Sequence, residues 1–146
     1  EGLILYAAAY SFATIGIFAV LIRMKDQSFE GFNGFARQQP LLAATLVIFL
    51  LSLAGIPLTA GFLSKFYMLR ASMQAGSLLL PIFAVLMAAI SVYYYFRLLQ
   101  AMYFREGNSG AAIEVNGGFK ATLVVLAALT IVLGLFPELL TQWLYF

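Results

Sequence analysis

Four apolar runs, each long enough to cross a bilayer, constrain this chain more than any other feature. Gly2 to Ile22 holds 21 residues without a charge, and Pro40 to Leu69 holds 30 with a single one, Lys65. Leu78 to Phe96 is prolonged amphipathically through Arg97 to Phe104, and Phe119 to Phe136 has Lys120 at its mouth. About 20 apolar residues cross a hydrocarbon core as a helix, so every run qualifies. Lipid admits only helices and closed barrels as spanning structures, and nothing here alternates with period two. The expectation is an all-α membrane protein, a single membrane-embedded segment over residues 1–146 with about four transmembrane helices near 2–22, 40–69, 78–104 and 119–136. With 64% hydrophobic and only 10% charged residues, against about 25% charged in soluble domains, water is the wrong solvent for such a chain.

Cysteine and histidine are absent, which excludes disulfides, thiolate metal sites, iron–sulfur ligation and imidazole chemistry from this sequence. The net charge of +2 and the lack of a basic run give no sign of nucleic-acid binding. The opening Glu1-Gly2-Leu3 has no basic n-region, and no small-residue cleavage site follows the first run, so a signal peptide is not expected and the chain reads as part of a longer polypeptide.

The connections differ in character. Arg23 to Gln39 is polar, with Phe29, Phe32 and Phe35 recurring every three residues, the spacing of a short interfacial helix. Arg70 to Ser77 reads as a short turn, and Arg105 to Gly118 as a flexible loop rich in Gly and Asn. Beyond Pro137, the aromatic residues Trp143, Tyr145 and Phe146 suit a membrane–water interface. Arg23, Lys25, Arg37, Arg97, Arg105 and Lys120 lie on or beside the first and third loops, while Arg70 stands alone at the second. Positive charge favours the cytoplasmic side, so both ends of the segment and the Arg70 turn are expected outside.

The second run cannot be one straight helix. Its middle reads Ala54-Gly55-Ile56-Pro57-Leu58-Thr59-Ala60-Gly61. Pro57 removes a helix hydrogen bond and crowds the preceding turn, and Gly55 and Gly61 loosen the backbone on either side. A 30-residue helix would extend roughly 45 Å against a core of about 30 Å. A proline kink and a true break exposing backbone groups at membrane depth are both open on this ground; breaks of the second kind line ion and substrate paths in transporters. Lys65 follows eight residues after Pro57. A lysine inside a membrane faces a bundle interior or a water cavity, or else snorkels to the headgroups. Arg70 is better placed as the interfacial anchor, which leaves Lys65 the deeper charge. Lysine, unlike arginine, can give up its proton.

Other polar residues are less specific. Ser52, Thr59, Ser64 and Tyr67 are candidate polar lining beside the break, although hydroxyls in such helices also bond their own backbone. Tyr93, Tyr94 and Tyr95 with Arg97 fit an aromatic belt, with a polar wire through Tyr95 or Gln100 as the alternative. Tyr6, Tyr10, Ser11 and Thr14 form either a polar seam or ordinary packing. Every acidic residue (Glu1, Asp26, Glu30, Glu106, Glu114, Glu138) lies in a loop or near a span end, so no carboxylate of this segment is expected to answer Lys65 within the membrane.

The stretch Ser52-Leu-Ala-Gly-Ile-Pro-Leu-Thr-Ala-Gly-Phe-Leu-Ser-Lys-Phe-Tyr-Met-Leu69 resembles the broken helix of the antiporter-like subunits of respiratory complex I, and Ser91-Val-Tyr-Tyr-Tyr-Phe-Arg97 resembles their next helix. Lys65-Phe66-Tyr67 is most similar to the subunit N branch, called subunit 2 in mitochondria. The resemblance implies the C-terminal part of a longer proton-translocating membrane subunit of an NADH:quinone oxidoreductase. In that family Lys65 corresponds to a proton-relay lysine of a half-channel and Pro57 to the helix break. It further implies partners among other antiporter-like and small membrane subunits and a bacterial inner-membrane location. NADH, flavin, iron–sulfur clusters and quinone would be bound by other subunits, with no cofactor in this chain. A multi-subunit cation/proton antiporter is the alternative family member.

Overall fold

The computed structural model describes residues 2–107 and 115–139; Glu114, Trp143, Tyr145 and Phe146 therefore lie outside the described residues. Among the described residues every regular element is a helix. Helix α1 runs Gly2–Leu21, a short α2 Phe35–Gln38, α3 Pro40–Ala54, α4 Ala60–Gln74, α5 Leu79–Phe104 and α6 Gly117–Leu135. Helices α1, α5 and α6 are each long and apolar enough to cross a membrane. The second run is divided: α3 and α4 hold 15 residues each, and five residues without helix separate them. At about 1.5 Å per residue neither half alone matches a core of about 30 Å.

What selects the packing face of α1 is size rather than polarity. Leu5, Ala9, Ala13, Gly16 and Val20 are its buried residues, spaced three and four apart along one stripe. The small ones let backbones approach, the usual means of helix association where the hydrophobic effect is silent. Against this stripe lie both halves of the broken span and α6. The larger core gathers Phe35, Leu42, Leu46 and Phe49 with Met102 from α5 and Leu123 from α6. A second, smaller one joins Leu5 and Ala9 to Ala60 and Leu133 beside the start of α4. Helix α5 touches the bundle least and buries only Pro81, Ala101 and Met102.

Two expectations for the connections need correction. The Arg23–Gln39 loop does not lay one amphipathic helix on the interface. It forms a single 3-10 turn at Glu30–Phe32 and the four residues of α2, interrupted at Gly34 with φ 70°. The Phe periodicity instead sends Phe32 and Phe35 into the core, 3% and 0% exposed, and this stretch meets α3 at 119°. Nor is Arg70–Ser77 a turn. Helix α4 continues through Arg70 to Gln74, because nothing between Leu69 and Gln74 breaks a helix, and chain reversal waits for Gly76 at φ 82°.

The first and third loops do meet on one side. The Gly34 N–H donates to the Ala101 carbonyl at 3.1 Å. The Arg23 guanidinium covers the Phe119 ring at 4.4 Å, and Arg97 covers Phe29 at 4.9 Å. Two loop carboxylates are engaged locally: Glu106 reaches Arg37 at 3.8 Å, and Asp26 accepts from the Ser28 N–H at 2.9 Å, a bond that holds its carboxyl below the usual range. Since Phe35 is fully enclosed, Phe35→Ala should cost about 3–5 kcal/mol, measured as a lower unfolding midpoint in detergent, whereas Phe29→Ala at the exposed rim should cost far less.

Candidate functional site

The break is built by ordinary helix-ending chemistry carried out inside an apolar run. Helix α3 stops because Gly55 takes φ 80°, the left-handed conformation that closes many helices. The Gly55 N–H returns to the Ser52 carbonyl and the Ile56 N–H to that of Leu51, both at 3.0 Å, the Schellman arrangement. Pro57 follows and forbids resumption. Leu58 is held at φ 79°, which costs a branched residue on the order of 1–3 kcal/mol. Helix α4 then begins at Ala60.

Two side chains cross the gap in opposite directions. Ser52 Oγ, on α3, accepts the N–H of Gly61 in the first turn of α4 at 3.2 Å. Lys65 Nζ, on α4, donates to the Leu53 carbonyl at the end of α3. The approach is close enough that a Cβ on Gly61 would sit 1.8 Å from the Ser52 carbonyl oxygen. Lys65 reaches its acceptor by running its stem over Gly55, where an added Cβ would meet Lys65 Cδ at 3.1 Å.

Beside this crossing lies a cavity of about 180 Å³. Ser52, Ser64 and Lys65 line it from the broken span, Tyr6 and Tyr10 from α1, and Ser91 and Tyr95 from α5. Among the described residues no carboxylate lines it, and the oxygen that Lys65 meets is the Leu53 carbonyl. Such a set can hold an ammonium and water but offers no metal-ligand cluster; no such cluster occurs among the described residues.

The sequence candidates thus divide. Lys65, Ser52, Ser64, Gly55 and Gly61 come together at the break. Ser64 also donates to the Gly61 carbonyl at 3.0 Å. Thr59 spends its hydroxyl on the Ile56 carbonyl at 2.7 Å, inside the connecting turn. Tyr67 packs by Gly2 and Phe66 and is not among the cavity-lining residues. Arg70 is exposed. Of the aromatic run, Tyr93 and Tyr94 face outward, 65% and 52% exposed, while Tyr95 turns to the cavity; Gln100 stays on the exposed face of α5. Tyr6 and Tyr10 stack at 6.1 Å and 11° against the same cavity. Ser11 is exposed, and the buried hydroxyl of Thr14 has no hydrogen-bond partner among the described residues.

Sequence reading missed Gly134. It sets α6 directly over the connecting turn, where an added Cβ would lie 2.4 Å from the Thr59 carbonyl carbon and 2.5 Å from the Leu58 oxygen. The only signal was a glycine in an apolar helix, which membrane spans tolerate for many reasons.

Residues 1–91 match the model of a family described as NADH:quinone oxidoreductase/Mrp antiporter, transmembrane. The chain belongs to that family. NADH-quinone oxidoreductase subunit N of Bdellovibrio bacteriovorus is 41% identical over 139 residues, covering 92% of this chain and 29% of that relative. Subunit N 2 of Rhizobium meliloti is 41% identical over 138 residues, covering 91% and 29%. A solved structure of respiratory complex I from Thermus thermophilus with bound aureothin contains a chain similar to this one, with a TM-score of 0.87 and 31% identity over 94% of this chain and 33% of that one. The chain therefore spans about a third or less of the length of these family members.

Gly134→Ala should force the connecting turn and α6 apart and cost about 1–3 kcal/mol, read as a lower melting temperature in detergent. Gly118→Ala, whose added Cβ meets nothing within 4 Å, should hold or slightly raise that temperature, because alanine favours a helix over glycine.

Proposed function

We propose that this chain is part of a proton-translocating membrane subunit of an NADH:quinone oxidoreductase, with Lys65 as a protonatable relay at a broken helix. One observation carries the reading: the one lysine of the apolar run ends at the Leu53 carbonyl beside a cavity lined by hydroxyls. A lysine so placed can hold a proton against backbone and water, and release it when either moves. Gly55, Pro57 and Gly61 shape the break, and the cavity hydroxyls provide a site polar enough for water. The names of the similar subunits N support the redox-coupled setting.

On this reading the chain is the C-terminal part of a longer subunit in a bacterial inner membrane. The basic loops then face the cytoplasm, and the ends of the segment face outward. Lipid and other antiporter-like and small membrane subunits surround it. This chain has no redox role; NADH, flavin, iron–sulfur clusters and quinone are bound elsewhere in the complex. A cation/proton antiporter subunit is the second reading, favoured by the shared family description. NADH-oxidising subunits that copurify with the full-length protein would decide for the first.

In the assembled complex, Lys65→Ala should abolish the relay and Lys65→Arg should fail to restore it, since arginine keeps its proton. The measurement is proton uptake per NADH oxidised in sealed vesicles; normal pumping by both variants would sink the relay.

A further inference from the structure

Proline is usually credited with stopping a helix, yet Gly55 has already stopped this one. The carbonyls of Leu51 and Ser52 are taken by Ile56 and Gly55. The next carbonyl, that of Leu53, would be the regular partner of the N–H four residues on. Position 57 is proline and has no N–H. Lys65 donates there instead. At the other end, Thr59 precedes α4 with no side-chain cap, and the Gly61 N–H is met from across the gap by Ser52. Gly61 and Lys65 are four residues apart, hence on one face of α4. The bond that fixes Gly61 against α3 therefore also fixes the direction in which Lys65 leaves the helix.

Resting on the relay proposed above, we infer that Ser52 and Pro57 are positioning residues for Lys65. Gly55 turns the chain away from the Leu53 carbonyl, and Pro57 carries no N–H that could compete for it. Ser52 registers the first turn of α4 so that the lysine reaches that carbonyl. Each half of the span caps the other, and the ammonium sits where the negative end of the α3 dipole favours a cation. The groups facing Lys65 across the cavity are neutral hydroxyls, from Tyr6 and Tyr10 on α1 and Ser91 and Tyr95 on α5. The carbonyl is thus the lysine's anchoring partner.

The test uses the full-length subunit in the assembled complex in native membranes. Acetic anhydride, a membrane-permeant reagent, acetylates unprotonated and unengaged amines; mass spectrometry then gives Lys65 acetylation relative to Lys25 and Lys120. Ser52→Ala should raise that ratio several-fold, and Ser52→Thr, which keeps the hydroxyl, should hold it at the wild-type value. Pro57→Ala supplies a competing N–H to the Leu53 carbonyl and should raise the ratio by a second route that leaves Ser52 intact. Native gels report assembly, and if Ser52→Ala does not assemble, Pro57→Ala carries the comparison. An unchanged ratio in the assembled variants overturns the inference. Proton pumping separates it from the relay itself. Both variants should lower pumping in the wild-type background and change nothing further on Lys65→Ala, because groups acting through one residue are not additive. A further loss on Lys65→Ala would mean a merely structural role and overturn the positioning assignment. A raised acetylation ratio with Lys65→Ala pumping normally would sink the relay while upholding the geometry.

Discussion

Backbone groups freed inside an apolar run must find partners in the protein or in a polar cavity, and each one left bare costs several kcal/mol. The rest of this structure depends on how that constraint is met between Ala54 and Ala60. The solution is local on the α3 side, where the left-handed Gly55 folds two N–H groups back onto the helix end. It is reciprocal across the gap, where Ser52 and Lys65 each serve the opposite half. The strained Leu58 survives because its neighbours are held on both sides, with Gly134 of α6 seated against the turn. The same arrangement that makes the interruption tolerable also puts a charge at its centre.

Around this centre the bundle is uneven. Helices α1 and α6 offer small residues (Ala9, Ala13 and Gly16 on one, Ala127 and Gly134 on the other) to both halves of the broken span. Close backbone contact there replaces the solvent-driven burial that holds a soluble core together. Helix α5 is held mainly at one end, where Ala101 and Met102 enter the core and the Phe29–Arg97 contact ties it to the first loop. Along the rest of α5, Tyr95 and Ser91 look inward to the cavity while Tyr93 and Tyr94 look away.

How much of this could be read beforehand follows from what each signal physically encodes. Span number and limits depend on apolar length, and the first run, Gly2–Ile22, differs from α1 by one residue at its end. The break was legible because proline and glycine act locally, at their own φ and N–H. The packing face of α1 was not, since a helix apolar on every side announces no preferred face, and its stripe is marked by small side chains instead of polarity. The Phe29–Phe32–Phe35 spacing misled because a period of three fits both an amphipathic surface and a chain folding its rings inward. Depth also separated residues of equal polarity: Tyr95 and Tyr93 are alike in sequence and differ only in which side of α5 they occupy. Ser52 was visible as a hydroxyl near the break, but its partner, the Gly61 N–H nine residues away, exists only once the halves are brought together.

The passage of the Lys65 stem over Gly55 links those two positions in the history of the family. A left-handed backbone by itself would admit asparagine at 55 as well as glycine. The lysine methylenes stand 3.1 Å from where a Cβ would be, so any side chain there must push the stem aside by a few tenths of an ångström. Glycine at 55 is thus favoured on two counts while 65 is a lysine. With a shorter side chain at 65 the second ground for glycine lapses and asparagine becomes easier to admit at 55. The two sites should drift together across related sequences, although nine residues and a helix break lie between them in the chain.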